Sequence, residues 1–223
     1  MTFDEFTAVW SRLHGGFDPR QASPVVRGWV LTAYRIGSLL GRRRVSPAAV
    51  TVAGVVLGLC VPFAALLGRG GLLLGALLVL LAAVADGLDG AVAVVTGRTS
   101  RLGYVYDSVA DRIGEAGWLA GLWVAGAPGW LAVAAGGTSW LHEYVRARAT
   151  AAGMTEIGAV TVGERPTRVA IAVSGLTIGG FIGFVRGEWT HYVIVTTVAV
   201  WLVLAIAGLG QLAAAVHHEL SGK

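Results

Sequence analysis

Asp86 and Asp89, then Asp107 and Asp111, interrupt an otherwise apolar chain. A carboxylate at the centre of a bilayer costs roughly 2.5–3.5 kcal/mol on an insertion scale, so four would cost on the order of 10 kcal/mol, less near an interface. Something shared has to offset that cost, and a divalent cation does so directly. On a helix, acids three apart (Asp86, Asp89) or four apart (Asp107, Asp111) project from one face. The intervening stretch 94–103 contains Thr96-Gly97-Arg98-Thr99-Ser100, enough for a turn, so two antiparallel helices bring the pairs opposite one another. Oxygen donors alone suit Mg²⁺, Mn²⁺ or Ca²⁺ rather than zinc or copper. Gly90 and Gly103 leave room beside the acids for a ligand to approach the backbone. Two other uses of the acids stay open: pairing with arginines such as Arg112, or lining an ion pathway.

The elements that must position these acids are membrane helices. The 223-residue chain is 55% hydrophobic and 13% charged, with a mean hydropathy of +0.70, which excludes an ordinary soluble domain. Apolar stretches near bilayer length fall at 48–68, 71–95, 104–126, 129–149, 168–186 and 190–215. The expectation is an all-α integral membrane protein with six transmembrane helices forming one domain over 46–218. It is preceded by cytoplasmic juxtamembrane helices over 1–45. No apolar run with a small-residue cleavage site precedes the first span, so no signal peptide is expected. Of 17 Lys and Arg residues, all but Arg69 and Arg186 fall on one side of these spans, including Lys223. The positive-inside rule puts both termini and the aspartates on the cytoplasmic side. The same distribution explains the pI of 9.7, so nucleic-acid binding is not expected.

Phe3, Phe6, Val9, Trp10 and Leu13 recur at helical spacing over 2–14, giving an amphipathic helix. It can lie at the membrane interface or pack against a neighbouring cytoplasmic helix. A second juxtamembrane helix is expected over 25–41, and Ser46-Pro47 offers a cap and a first-turn proline for the first span. Glycines spaced by four (Gly54/Gly58, Gly71/Gly75, Gly175/Gly179/Gly183) predict close helix packing. The stretch 150–166, with Gly153, Gly158, Gly163 and Pro166, reads as the one sizeable cytoplasmic loop. Cys60 cannot form an internal disulfide and reads as a buried, unreactive thiol. His217-His218 is too isolated for a metal site. No serine-hydrolase or P-loop motif occurs.

Asp86-x₂-Asp89-Gly90-x₂-Ala93, then Gly103-x₃-Asp107-x₃-Asp111, resembles the signature of the CDP-alcohol phosphotransferases in every spacing. One residue departs from it: Val94 stands where the motif has arginine. Ala48 stands where many relatives carry Asn or Asp. Tyr144-Val-Arg146-Ala-Arg148-Ala and Glu164-Arg165-Pro166-Thr-Arg168 look like segments of the actinobacterial phosphatidylinositol phosphate synthases. The last helix, with Gln211, offers no arginine where those enzymes supply a further phosphate contact.

What the resemblance implies is a phospholipid-synthesising transferase of a bacterial inner membrane. It would move a phosphatidyl group from CDP-diacylglycerol to a hydroxyl acceptor, a phosphorylated polyol such as inositol phosphate, and release CMP. Mg²⁺ or Mn²⁺ would be held by Asp86, Asp89, Asp107 and Asp111, with Asp111 also the general base. Asp89, Gly90, Ala93, Gly103 and Thr51 would form the nucleotide and donor surface. Arg146 and Arg168 would bind the acceptor phosphate, whose oxygens a guanidinium fork matches. Arg148 and Arg165 read rather as topology determinants, as do Arg98 and Arg101, either of which can replace the missing motif arginine. Glu143 and His142 are explained as well by a polar helix end. Homodimers are common in the family, although the glycine spacing does not establish one here. Glycerol 3-phosphate is the alternative acceptor. A divalent-cation transporter and a catalytically lapsed member are the other readings; the apolar stretches 72–85 and 119–125 speak against transport.

Overall fold

The computed structural model describes residues 1–13, 18–154 and 160–222. Gly158 of the expected loop, position 14 and Lys223 lie outside the described residues. Among those described there are α-helices and short 3₁₀ turns, and no strand. The helices are α1 (Phe3–Leu13), α2 (Pro24–Arg42), α3 (Pro47–Ala65), α4 (Arg69–Thr96), α5 (Arg101–Val124), α6 (Gly129–Ala151), α7 (Arg165–Val185) and α8 (Thr190–Ser221). Their starts follow local chemistry. The Ser23 hydroxyl accepts the Val26 N–H, and the Ser46 hydroxyl accepts the Ala49 N–H at 3.2 Å, each with proline at the first helical position.

Four stretches are long and apolar enough to cross a bilayer: Pro47–Ala65, Arg69–Thr96, Arg165–Val185 and Gly187–Ser221. This makes the chain an all-helical integral membrane protein. Helices α5 and α6 form where two further spans are expected. Their acids and arginines, among them Asp107, Asp111 and Glu115 on α5, keep them below that apolarity.

The chain folds as two compact units. The first comprises residues 1–56 and 81–111. Its core gathers Phe6, Val30, Ala33, Ala91 and Val94, with Phe3, Trp10, Tyr34 and Leu88 packed against it. The apolar face of α1 is therefore taken by α2 and the C-terminal part of α4. The Phe6 and Tyr34 ring centroids lie 5.2 Å apart, and the Tyr34 hydroxyl donates to the Met1 carbonyl at 2.8 Å. The N-terminal amphipathic helix thus packs against its neighbours.

The second unit comprises residues 57–80 and 112–223. Its helices meet where side chains are absent. A Cβ on Gly117 would lie 2.5 Å from the Gly58 carbonyl oxygen, and one on Gly175 would lie 2.2 Å from the Thr197 side chain. Trp201 is buried between α6 and α8 and donates its indole N–H to the Ser139 hydroxyl at 3.0 Å. Cys60 is exposed, contrary to the expectation of a buried thiol. It lies between Leu59 and Phe63, which are 43% and 69% exposed, on an apolar outward surface of a helix long and apolar enough to cross a bilayer.

Candidate active site

The acids of the first unit are brought together by a short hairpin. The chain leaves α4 through Gly97, whose φ of +66° few other residues adopt without strain. Arg98 N–H donates to the Ala93 carbonyl at 2.8 Å, and the Ser100 hydroxyl caps α5 by accepting the Gly103 N–H at 3.0 Å. Across this turn Asp86, Asp107 and Asp111 each offer a carboxylate oxygen, and the three oxygens lie within 4.8 Å of one another. All three side chains are half-buried. Three such charges repel one another by roughly 3 kcal/mol per pair at an effective dielectric of ~20. A hard divalent cation relieves that repulsion, and an all-oxygen donor set is what Mg²⁺ or Mn²⁺ takes. The donor set fits the ion.

Asp89, the fourth acid, is not part of this grouping. It is 6% exposed, and its Oδ2 accepts the Thr51 hydroxyl from α3 at 2.5 Å. Thr51, expected on the donor surface, is thus placed against Asp89. Nothing within 4 Å would meet a Cβ on Gly90, so the backbone there is open to an approaching ligand. Ala93 is half-buried and Gly103 exposed. Val94, at the motif's arginine position, is 3% exposed and belongs to the core with Phe6 and Val30. Its apolar character thus has a packing cause.

In the second unit, the arginines expected to meet an acceptor phosphate sit among acids. Arg168 is 2% exposed. Its Nη1 donates to both Glu115 oxygens at 2.9 and 2.8 Å, its Nε to the Gly163 carbonyl at 2.9 Å, and its Nη2 to Glu143 Oε1. Arg112 lies 3.1 Å from Glu115 and 3.1 Å from Glu143. Arg146, at the edge, donates to Glu164 Oε1. That oxygen also accepts the backbone N–H and the hydroxyl of Thr161, each at 3.1 Å, while His142 Nε2 lies 2.9 Å from the same hydroxyl. Two acids thus tie the start of α7 to α6.

Arg165 stands over the Trp118 ring at 5.9 Å, and Arg148 is exposed. Gln211 accepts the Val162 N–H at 2.9 Å, holding the chain that leads into α7. His217 Nδ1 lies 3.3 Å from the Ser221 hydroxyl, and among the described residues His217 joins no acid cluster. Glu115 escaped the sequence reading. Its signal was its position: an acid one helical turn beyond Asp111, inside a helix otherwise turning apolar.

Residues 44–211 match the family model described as CDP-alcohol phosphatidyltransferase. A phosphatidylinositol phosphate synthase of Mycobacteroides abscessus is 34% identical over 189 residues, covering 82% of this chain and 80% of that protein. An archaetidylinositol phosphate synthase of Pyrococcus horikoshii is 31% identical over 140 residues, covering 61% of this chain and 72% of that protein. Among solved structures, Mycobacterium tuberculosis phosphatidylinositol phosphate synthase with CDP-DAG bound superposes with a TM-score of 0.65 at 25% identity. It covers 83% of this chain and 93% of its own. The same enzyme with manganese and citrate gives 0.66 at 25% identity, covering 82% and 88%.

Proposed function

The chain belongs to the CDP-alcohol phosphatidyltransferase family, and from that premise we propose that it transfers the phosphatidyl group of CDP-diacylglycerol to the hydroxyl of inositol phosphate, releasing CMP. The observation that carries this is the convergence of Asp86, Asp107 and Asp111 from two helices onto one point. The reading is supported by the CDP-DAG bound in the Mycobacterium tuberculosis structure and by the product, phosphatidylinositol phosphate, in the name of the Mycobacteroides abscessus relative.

Asp86, Asp107 and Asp111, together with Asp89, would hold Mg²⁺ or Mn²⁺. When bound, the ion neutralises charge on the pyrophosphate and on departing CMP. Asp111 takes the proton of the acceptor hydroxyl as that oxygen forms its bond to the β-phosphorus and the bond to CMP breaks. Thr51 fixes the Asp89 carboxylate. Gly90, Ala93 and Gly103 leave the donor's nucleotide room to lie against backbone. Arg146 and Arg168 supply positive charge for the acceptor phosphate.

The membrane reading has α3 to α8 as six spans of one domain over 46–218, in a bacterial inner membrane. The helices of 1–45, both termini and the aspartates are cytoplasmic, supported by the arginine distribution. Assembly as a homodimer rests on family resemblance alone.

The test is CMP release from labelled CDP-diacylglycerol with Mn²⁺ and a panel of inositol phosphate, inositol and glycerol 3-phosphate. Inositol phosphate is expected to give the highest rate. Asp111→Asn is expected to lower turnover by about 10²–10⁴-fold while Mn²⁺ is still bound. Equal rates across the panel, or near-normal turnover by Asp111→Asn, would reject the assignment.

A further inference from the structure

Glu143 holds two guanidinium groups through one oxygen. Its Oε1 accepts from Nη2 of Arg168 and lies 3.1 Å from Nη1 of Arg112, so a single atom bridges cations carried on α7 and α5. Glu115 meets the same two arginines differently. Both of its oxygens bind Arg168, and one also meets Arg112. Exposure separates the two acids. The Glu115 and Arg168 side chains are 1% and 2% exposed, whereas that of Glu143 is 29% exposed. Glu115 is the buried counter-ion, and Glu143 is the anion at the accessible edge.

An oxygen shared by two arginines is how a phosphate is commonly gripped, because phosphate and carboxylate both offer acceptor-only oxygens to the guanidinium fork. We propose that Glu143 is an exchangeable stand-in for the acceptor's phosphate, releasing Arg112 and Arg168 when that phosphate binds. This rests on the functional reading above. It also explains how a buried Arg168 becomes available to an acceptor: only the contact at the accessible edge has to change.

Charge balance permits the exchange. Glu115 stays with both arginines throughout, and a phosphate carrying about −1.5 to −2 takes the place of one carboxylate. Neither arginine is left buried without an anion, the state that would be most costly. Glu143, already partly in water, moves further into it. The acceptor therefore competes with an anion tethered beside its own seat, and its apparent affinity falls accordingly. Glu143 in this way sets acceptor affinity and favours acceptors that carry a phosphate over neutral polyols.

Glu143→Gln keeps the side chain's size and removes its charge. The acceptor KM is expected to fall on the order of tenfold, the scale of one charge-assisted hydrogen bond, with the CDP-diacylglycerol KM as internal reference. Inorganic phosphate is expected to raise the melting temperature of this variant more than that of the wild type. An acceptor KM equal to or above the wild-type value, or phosphate stabilisation no greater than in the wild type, overturns the proposal. If Glu143→Gln does not fold, Glu143→Asp, which shortens the bridge, is expected to lower the KM in the same direction. Failure of both variants to fold also overturns it, since an anion that leaves during turnover is dispensable to the fold. Should the wild type release no CMP with any phosphorylated acceptor, the functional reading fails. The phosphate melting comparison then still decides whether Glu143 exchanges.

Discussion

Val94→Arg installs the residue that the family motif carries after Ala93. From the motif alone it should restore a polar contact at the active site and help turnover. The structure calls for the opposite. Val94 is 3% exposed and packed with Phe6, Val30, Ala33 and Ala91. Removing its burial forfeits roughly 1.5–3 kcal/mol, and forcing a longer side chain into a filled space costs about 1–3 kcal/mol more. The full desolvation of a guanidinium is not incurred. Position 94 lies close to the end of α4 at Thr96, so the charged head can reach water along its stem. Together the two costs come to about 2.5–6 kcal/mol, which in a chain of this size lowers the melting temperature by about 10–15 °C. The assay is heating of detergent-solubilised wild type and variant at one scan rate, followed by tryptophan fluorescence and by the fraction that stays monodisperse. A variant that melts at or above the wild-type temperature would refute the assignment of Val94 to the core and return it to the active site.

Thr51→Val keeps the shape of the side chain and deletes the hydroxyl that Asp89 accepts at 2.5 Å. The CDP-diacylglycerol KM should rise about tenfold with the acceptor KM unchanged, and equal changes in both would remove Thr51 from the donor side. Glu115→Gln takes the charge from the buried partner of Arg168. It should destabilise the protein by about 3 kcal/mol in the same melting assay, the low end of the cost of removing one partner of a buried ion pair, because Glu143 stays on Arg168. An unchanged melting temperature would mean that Glu115 is not the counter-ion.

Much of this was legible from residue type and spacing. The three-and-four spacing of the acids, with a glycine-bearing turn between them, places Asp86, Asp107 and Asp111 together because a helix repeats every 3.6 residues. Ser46-Pro47 starts α3, and the glycines at 58 and 175 sit where neighbouring helices leave no room for a side chain, because each reports a local steric fact. What the sequence could not give is orientation about a helix axis. Cys60 lies in a segment so uniformly apolar that nothing marks which side faces protein, and it faces outward. Val94 could be read only as an absence from a motif, because its partners on α1 and α2 lie 60 or more residues away in sequence. Glu115 was missed, and Glu143 read only as part of a polar helix end, for the same reason: their meaning depends on Arg168, contributed by another helix.

The link between α3 and α4 is three residues long, Leu66, Leu67 and Gly68, with Gly68 at a φ of +73°. Three extended residues reach little more than about 10 Å. A Cβ on Gly71 would lie 1.9 Å from the Ala64 carbonyl oxygen, so the two rods touch immediately beyond the bend. Neither rod can partition into lipid while the other waits in water. The α3–α4 pair therefore enters a bilayer as one helical hairpin rather than as two separate rods.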